Sequence, residues 1–555
     1  MAVFNEDKEI RKIEELRRQE EEDLALLLSK KYNVGYADLT RMSINTDALR
    51  LIKEGDARES NIAAFGMVGK KLSVAVKSPE NQKAKDIVVE LEKRGFAVEL
   101  YMVSMGSLER AYERYKDLSF ATETKAGILD ISSEEIHKLL NAIKSLPDAK
   151  AVIEDLLKQK KIFRISRILE TVLAGGLSTD ASDIHIEPEE AYVRLRYRLD
   201  GVLTDVLTFD RETYQLLLSR IKLLSGLKLN IKDAAQDGRF SVKIEGSDIE
   251  IRTSILPGAY GESIVLRLLD PNTIGVPMEE LGIEEKLRKI LEKEIRKPNG
   301  MVLNTGPTGS GKTTTLYAFM KKIHTPDIKI VTIEDPIEYH LPGIVQTQVE
   351  PKSYTFAQGL RSVLRQDPDI IMVGEIRDEE VAEVAINSSL TGHLVFSTLH
   401  TNDAAGAFPR LIDLGINPKI IGSAINVVMA QRLVRRLCEC RKETTLSEAD
   451  QKLIEEVLKG VVDQKLLPEN KTTAYEAVGC EKCNNTGYKG RIGIFEAILM
   501  DKGIEDTVAE SASEREIVIE ARRQGLLSMK EDGVLKVLAG VTTLSELERV
   551  IEIRE

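Results

Sequence analysis

The spacing of hydrophobic residues changes several times along the chain. Residues 5–23 are almost all charged, and their thin apolar stripe predicts a solvated helical leader, with a docking helix as the alternative. Further on, Leu72, Val74 and Val76 alternate with polar residues, which predicts a strand, and a helical stretch and a second strand follow. This order indicates a small α/β domain near the N-terminus.

The middle and C-terminal parts have two other patterns. Alternating strands with glycine at the turns predict a β-rich module, and apolar strands that alternate with helices then predict a doubly wound α/β domain. The predicted divisions are a charged helical leader over 1–23, a small N-terminal domain over 24–120, a helical linker over 121–162, a second N-terminal domain over 163–275, the doubly wound α/β domain over 276–502, which contains a cysteine module at 437–490, and a helical subdomain over 503–555.

Composition narrows the class of protein. The 555 residues have a net charge of −12, only 5% are aromatic and none is Trp, which argues against a basic, aromatic nucleic-acid groove. No apolar run approaches the length of a membrane span, and the N-terminus has no apolar signal region. We therefore expect a cytoplasmic protein whose cysteines are thiols or metal ligands.

A phosphate-binding loop lies in the middle of the chain. The run GPTGSGKT follows a predicted strand and precedes a predicted helix, the context in which backbone amides and a helix N-terminus bind phosphate. Lys312 is expected to reach the β- and γ-phosphates, and the hydroxyl of Thr313 to ligate Mg²⁺. The predicted nucleotide-binding residues are Gly306, Pro307, Thr308, Gly309, Ser310, Gly311, Lys312, Thr313 and Thr314.

Carboxylates follow two other predicted strands. A strand that would normally end in Asp runs into Gly374 and Glu375, and an upstream strand ends in Glu334 and Asp335. Because open α/β sheets bind ligands at the carboxyl ends of their strands, Glu334 and Glu375 are candidates for hydrolytic chemistry. Ordinary surface acids are the alternative interpretation, and it weighs more for Glu338.

Two histidines stand at the ends of another predicted strand. His393 and His400 bracket the run LVFSTL, so they do not form a metal pair on one helix face. Taken alone, the pair is more typical of packing residues than of a site.

The four stretches GPTGSGKT, TIEDPIE, IIMVGEIRD and TGHLVFSTLH, in this order, resemble the secretion ATPase superfamily, the hexameric motors of type II secretion and type IV pili. The resemblance implies a RecA-like P-loop core, a PAS-like α+β domain before it and a small α/β N-terminal domain. It also implies that Glu334 polarises the attacking water and reaches Mg²⁺ through ATP, and that Glu375 acts on the Mg²⁺ side. His393 and His400 are then expected to sense the γ-phosphate or to couple to neighbouring segments.

Arginines are spread over the β-rich module, among them Arg220, Arg239, Arg252 and Arg267. Arg194, Arg196 and Arg198 alternate on one predicted strand, so they share a face that is either solvated or meets an anion. The family resemblance implies that arginines of this domain close over ATP bound by the neighbouring subunit, and we expect Arg196, Arg198 and Arg239 to do so. Family members place a basic residue and a proline before QDGR, where this chain has Asp233, Ala234 and Ala235.

All four cysteines lie close together in the sequence. The pairs Cys438-x-Cys440 and Cys480-x-x-Cys483 predict a structural zinc site with four thiolates, and free thiols are the alternative. The first spacer is one residue shorter than usual, which leaves open whether both Cys438 and Cys440 are ligands. In the resembled family, this module marks the secretion and pilus-assembly branch.

The resemblance, together with the phosphate loop and the cysteine pairs, therefore implies a Mg²⁺-dependent, homohexameric ATPase with ATP, Mg²⁺ and Zn²⁺ as cofactors. It would act on a pilus or pseudopilus through an inner-membrane platform protein and a cytoplasmic ring protein, bind no nucleic acid, and reach the membrane only through these partners. Cyclic di-GMP, which binds an N-terminal motif in some relatives, is not expected because that motif is missing from residues 1–30. The rival interpretations are a nucleic-acid translocase and an adaptor that binds ATP without hydrolysing it.

Overall fold

The computed structural model describes residues 19–554 with short gaps. The gaps are residues 41, 43, 69, 118–120, 125–127, 132–138, 141, 159–164, 245–246, 270–274, 351–352 and 511–512. Most of the predicted charged leader lies outside the described residues, and its end continues into a helical segment at 19–32.

The N-terminal domain is built on a four-stranded sheet with the order β1-β4-β3-β2. Leu72 and Val74 on β3 are fully buried, as their alternation predicts, because one face of this strand packs on the helices. The strands are β1 (Gly35–Tyr36), β2 (Ile62–Val68), β3 (Lys71–Val76) and β4 (Ala97–Met102), and the helices are α1 (Thr46–Leu49), α2 (Glu54–Ser60), α3 (Gln82–Lys93) and α4 (Met105–Glu113).

The second domain is built on an eight-stranded sheet with the order β5-β6-β10-β11-β12-β7-β8-β9. Its strands are β5 (Ala121–Thr124), β6 (Ile128–Ile131), β7 (Asp183–Pro188), β8 (Val193–Leu199), β9 (Val202–Phe209), β10 (Gln236–Ile244), β11 (Ser247–Gly258) and β12 (Gly261–Leu269). Its helices are α5 (Leu146–Leu157), α6 (Ile165–Ser178) and α7 (Arg211–Leu224).

The start of the segment at 121–162 is not helical, contrary to the prediction. It forms β5 and β6, and β6 pairs in parallel with β10 of the second domain. Such short strands carry too little alternation to be recognised from sequence, and they form because a sheet edge is available for pairing.

The ATPase domain contains a seven-stranded sheet with the order β15-β14-β16-β17-β13-β18-β21. Strands β13, β14, β16 and β17 are buried along their whole length, as expected for parallel strands covered by helices on both faces. The strands are β13 (Gly300–Thr305), β14 (Ile330–Glu334), β15 (Val345–Gln348), β16 (Ile370–Val373), β17 (Leu394–Leu399), β18 (Ile425–Leu437) and β21 (Tyr488–Leu499). Only β21 is antiparallel to its neighbour.

Helices cover this sheet and continue into the C-terminal subdomain. They are α8 (Glu285–Glu294), α9 (Lys312–Ile323), α10 (Phe356–Val363), α11 (Glu379–Leu390), α12 (Ala407–Asp413), α13 (Pro418–Ala424), α15 (Lys502–Glu510), α16 (Glu514–Ala521), α17 (Met529–Leu538) and α18 (Leu544–Val550). Between β18 and β21, the cysteine module contributes β19 (Lys442–Thr445), α14 (Glu448–Leu458) and β20 (Thr473–Glu476).

The second domain contacts the ATPase domain of the same chain through polar groups. The amide of Gly490, beside the cysteine module, donates to Asp200 Oδ2 at 3.0 Å, and the amide of Leu146 donates to Asn484 Oδ1 at 2.8 Å. Within the described part of the chain, none of the helices is both long enough and apolar enough to span a bilayer.

Candidate functional site

The phosphate loop connects β13 to α9 and lies at the carboxyl edge of the central sheet. Gly306 (φ 150°) and Gly311 (φ 88°) have positive φ values that favour glycine. A Cβ at Gly306 would lie 2.6 Å from the carbonyl oxygen of Gln431, and one at Gly311 would lie 2.9 Å from its side-chain nitrogen. Both glycines are therefore required for the loop to pack on β18, and the exposed residues between them, Pro307, Thr308 and Gly309, leave the loop open to a ligand.

Lys312, at the first turn of α9, points back into this loop. Its Nζ donates to the carbonyl oxygens of Gly306 at 2.8 Å and Pro307 at 3.1 Å. Burial, together with the nearby charge of Arg432, lowers the pKa of Lys312 to about 8, although Glu375 opposes the shift. Thr313 and Thr314 follow on the same turn and are partly exposed.

Glu375 follows β16 and forms the centre of a charged cluster. His400 Nε2 lies 3.2 Å from its Oε2, and Arg377 forms an ion pair with the other oxygen. Burial alone would raise the pKa of Glu375, but Arg377 and His400 outweigh it and hold the pKa below its usual value. Glu375 is thus an ionised carboxylate close enough to act on the charge of Lys312.

Glu334, the last residue of β14, is only 2% exposed. It accepts hydrogen bonds from the phenol of Tyr317, the hydroxyl of Thr332 and, at 3.1 Å, Nε2 of Gln346. Burial raises the pKa of Glu334, and the three hydrogen bonds offset this only in part. Two candidate carboxylates therefore occupy the same sheet edge with opposite pKa shifts.

The two histidines are separated by the full length of β17. His400 lies at the carboxyl edge, beside Glu375, while the backbone oxygen of His393 accepts from the amide of Gly300 at the start of β13. Six residues of strand place His393 about 20 Å from the phosphate-loop edge. A role for His393 as γ-phosphate sensor for the loop of its own chain is therefore wrong, and coupling to neighbouring segments stays a prediction.

The arginines of the second domain differ in their pairing. Arg196 donates to Glu187 at 2.8 Å, and Arg198 Nε lies 3.3 Å from Asp183, so both are engaged with carboxylates of their own domain. Arg239 is 73% exposed and lies 3.7 Å from Glu250. Of the three predicted arginines, Arg239 has the most exposed side chain and the longest ion pair.

The turn at residues 228–235, before Arg239, is stabilised by hydrogen bonds although it lacks the proline that family members have there. Gln236 Nε2 donates to the carbonyl oxygens of Lys228 and Ile231, each at 3.1 Å, and its Oε1 accepts from the amide of Lys228. A buried lysine, Lys222, donates to the same Ile231 carbonyl oxygen at 2.7 Å. The substitutions at 233–235 therefore leave the turn closed.

Sequence reasoning missed several residues at the site. Arg432, on β18, donates to the carbonyl oxygen of Asn402 at 2.8 Å, and its Nη1 would lie 3.2 Å from a Cβ at Gly306, so it stands over the phosphate loop. Tyr317 and Gln346 hold Glu334. The sequence positions of Tyr317 and Gln346 do not indicate these contacts. Tyr317 lies on α9 and Gln346 on the edge strand β15, and each reaches Glu334 only because its element packs beside β14.

The four cysteines lie close together, just after the end of β18 and just before the start of β21. Their Sγ atoms all lie within 4.8 Å of one another, at 3.8 Å for Cys438 and Cys480, 3.9 Å for Cys440 and Cys483, and 3.7 Å for Cys480 and Cys483. Tetrahedral ligands with zinc–sulfur bonds of about 2.3 Å stand about 3.8 Å apart. Cys483 Sγ also accepts hydrogen bonds from the amides of Cys480 and Gly487. The short first spacer therefore does not keep Cys440 from the cluster.

The chain matches two known protein families over most of its length. The family described as "Type II/IV secretion system protein" matches residues 158–549, and the "MshEN domain" matches residues 32–122. The chain belongs to the type II/IV secretion system protein family. As a member of this family it is an ATPase, which implies ATP and Mg²⁺ as ligands of the loop described above.

Relatives in the family include proteins from both kinds of machine. The chain is 46% identical to a type II secretion system protein E from Pseudomonas aeruginosa over 73% of this chain and 79% of the relative. It is 36% identical to the type IV pilus assembly ATPase PilB from Myxococcus xanthus over 95% of this chain and 91% of the relative. In fold, it resembles the Legionella pneumophila ATPase DotB, with a TM-score of 0.50 and 22% identity over 69% of this chain and 95% of the other. These matches confirm the predicted family and the α/β ATPase fold class.

Proposed function

We propose that this ATPase is a hexameric motor that drives assembly of a type IV pilus or of a type II secretion pseudopilus through an inner-membrane platform protein, on the cytoplasmic side of the membrane. The similarity to PilB, which extends over 95% of the chain, and to type II secretion proteins supports both versions. A cytoplasmic ring protein is the further partner we assign to the N-terminal domain.

The observation that carries this proposal is the unequal distribution of charge around the phosphate loop. Lys312, Glu375 and His400 lie together at the sheet edge of one chain, whereas Arg239 of the second domain is exposed and loosely paired. Phosphoryl transfer spreads negative charge over the γ-phosphate, and a cation supplied from another chain raises the rate by about 10³–10⁵. We infer that the neighbouring copy supplies it.

We assign the roles at the loop from this geometry. Lys312 and the loop amides would bind the phosphates of ATP, and the hydroxyl of Thr313 and the carboxylate of Glu375 would hold the accompanying Mg²⁺. When bound, Mg²⁺ neutralises charge on the β- and γ-phosphates. Glu334, whose pKa burial raises above its ordinary value, orients and polarises the attacking water.

We further propose that the cysteine cluster holds a structural Zn²⁺. Four thiolates form a closed shell with no open position for chemistry, so the ion would stabilise the loop-rich insertion. The contacts of this module with Leu146 and Asp200 then connect it to the second domain.

Two substitutions test the assignment. Lys312→Ala is expected to abolish ATP turnover while the hexamer persists in size-exclusion chromatography; loss of the hexamer would count against a purely catalytic Lys312. Glu334→Gln is expected to bind ATP but not hydrolyse it, measured by equilibrium binding and phosphate release. Wild-type turnover in Glu334→Gln would remove Glu334 from the mechanism.

A further inference from the structure

The carboxyl group of Glu334 is buried among neutral donors. Tyr317 on α9 donates to Oε2, and Thr332 on β14 and Gln346 on β15 donate to Oε1. Among the described residues, no lysine or arginine forms an ion pair or a hydrogen bond with this carboxyl group. Burying a carboxylate without a cation is costly, so this arrangement needs a reason beyond packing.

Several other buried carboxylates among the described residues are paired with cations. Glu546 meets Arg435 and Arg549, Glu531 meets Arg522, and Glu262 meets Lys222. These pairs link helices and strands and have the features of structural contacts. Glu334 differs from them because its partners orient the carboxyl group without neutralising its charge.

The donors to Glu334 are themselves held in place. The ring of Tyr339 packs edge-on against that of Tyr317, with centroids 4.5 Å apart and an angle of 80°. Gln346 accepts from the amide of Leu341 at 2.7 Å and donates to the carbonyl oxygen of Tyr339 at 3.1 Å, which fixes which end of its amide faces Glu334. The phenol and the amide therefore arrive at Glu334 from fixed directions.

Tyr317 also connects the carboxyl group to the phosphate loop. It lies on α9, the helix that begins at Lys312, and five residues place it about one and a half turns further along. The helix that presents Lys312 to the phosphates therefore also presents a donor to Glu334, three strands away from β13 in the sheet.

We propose that Tyr317 is a positioning residue for ATP hydrolysis, which holds the carboxyl group of Glu334 in the orientation from which it acts on the attacking water, with Gln346 as the second donor. This inference rests on the role assigned to Glu334 under the proposed function. It makes the geometry of the water-activating group depend on the helix that binds the phosphates.

The expected effect of Tyr317→Phe follows from the form of Glu334, charged or neutral, that the hydrogen bond stabilises. The phenol stabilises the charged carboxylate, so its loss moves the acid limb of the kcat profile to higher pH by roughly one pH unit and lowers kcat near neutrality. The KM for ATP should change little, because Lys312 and the loop amides are untouched. A purely structural tyrosine would affect stability without moving the pH profile.

The experiment compares kcat and KM of the full-length hexamer from about pH 5 to about pH 9 at saturating Mg²⁺-ATP. The variants are Tyr317→Phe, Gln346→Leu, Glu334→Gln and the control Tyr197→Phe, which removes a buried phenol that donates to Val172 in the second domain. We expect shifted acid limbs for Tyr317→Phe and Gln346→Leu, and a wild-type profile for Tyr197→Phe.

The outcomes separate this inference from the proposed function. An unshifted profile in Tyr317→Phe, while Glu334→Gln is inactive, overturns the positioning role and leaves the role of Glu334 intact. Wild-type turnover in Glu334→Gln overturns both. If Tyr317→Phe does not fold, Gln346→Leu decides the question by the same shift, since it leaves α9 unchanged.

Discussion

Arg252 of the second domain donates a hydrogen bond of 2.7 Å to the carbonyl oxygen of Ile337 in the ATPase domain of the same chain. Nη1 of the same side chain lies 3.4 Å from Glu338, Nε donates to Glu250 at 3.0 Å, and the side chain is 25% exposed. Ile337 lies three residues after Glu334, in the loop that also carries Tyr339. The position of the second domain is therefore connected directly to the surroundings of Glu334.

Loss of this contact should loosen the loop. In Arg252→Ala we expect faster amide hydrogen exchange over residues 335–348 and a several-fold lower kcat, because a hydrogen bond from a charged donor contributes about 1.5–3 kcal/mol. Arg194→Ala is the matched control, since Arg194 lies in the same domain and pairs only loosely with Asp205 at 3.7 Å. Unchanged exchange in Arg252→Ala would show that the contact does not hold the loop.

ATP binding should take up protons above neutral pH. Lys312 in the free protein has a pKa of about 8, and the phosphates favour its charged form, so a neutral lysine must gain a proton when ATP binds. Affinity should accordingly fall as the pH rises through 8. Calorimetry in buffers of different ionisation enthalpy measures the uptake directly.

Lys312→Arg provides the control for this experiment, because a guanidinium stays charged at these pH values. Its binding should show no uptake from this position. Equal uptake in Lys312→Arg and in the wild type would assign the protons to another group.

Acid should weaken the ion pairs that Glu546, on the last helix α18, forms with Arg435 and Arg549. Arg549 and Arg435 overcome the effect of burial and lower the pKa of Glu546 from 4.5 to about 2. A depressed carboxyl pKa stabilises the fold above about pH 4.5, and this contribution of about 3 kcal/mol is lost as the pH falls towards 2. Glu546→Gln should therefore lower the urea midpoint at neutral pH, and the difference from wild type should shrink in acid. The same change at Glu548, an exposed-side neighbour on α18, should have little effect; equal losses would contradict the account.

Metal removal tests the cysteine cluster. The chain has only four cysteines, all in the cluster, so thiol titration of the native protein should find them unreactive, and titration after chelation should find four. Metal analysis should give one Zn²⁺ per chain, and Cys440→Ser should weaken its retention. Full retention in Cys440→Ser would show that the short Cys438-x-Cys440 pair supplies only one ligand.

The sequence was most informative where one local pattern determines both structure and chemistry. The phosphate loop, and the carboxylates after β14 and β16, were recognisable because each follows a buried parallel strand and so lies at the same sheet edge. The order of the strands in the sheet could not be predicted from the sequence. This order places Glu375, rather than Glu334, close enough to Lys312 for its charge to influence the pKa of the lysine.

The sequence also could not predict which side chains pair with one another across elements that are far apart along the chain. The alternation of Arg194, Arg196 and Arg198 on one face was readable, but their carboxylate partners depend on how β7 and β9 align with β8. For the same reason Arg252 could not be singled out as the arginine that reaches the ATPase domain. The positions of His393 and His400 at opposite ends of one strand were predicted from the sequence, whereas the role of His393 as a γ-phosphate sensor was implied only by the family resemblance.

The central claim is that two copies of the chain share the ATP site. The most direct measurement is ATP turnover per chain as the protein is diluted from hexamer to monomer, with light scattering recording the oligomeric state at each concentration. Turnover per chain should fall almost to zero in the monomer, because it lacks the cation that we propose the neighbouring copy supplies to the transition state. A verified monomer that hydrolyses ATP as fast per chain as the hexamer would contradict the account.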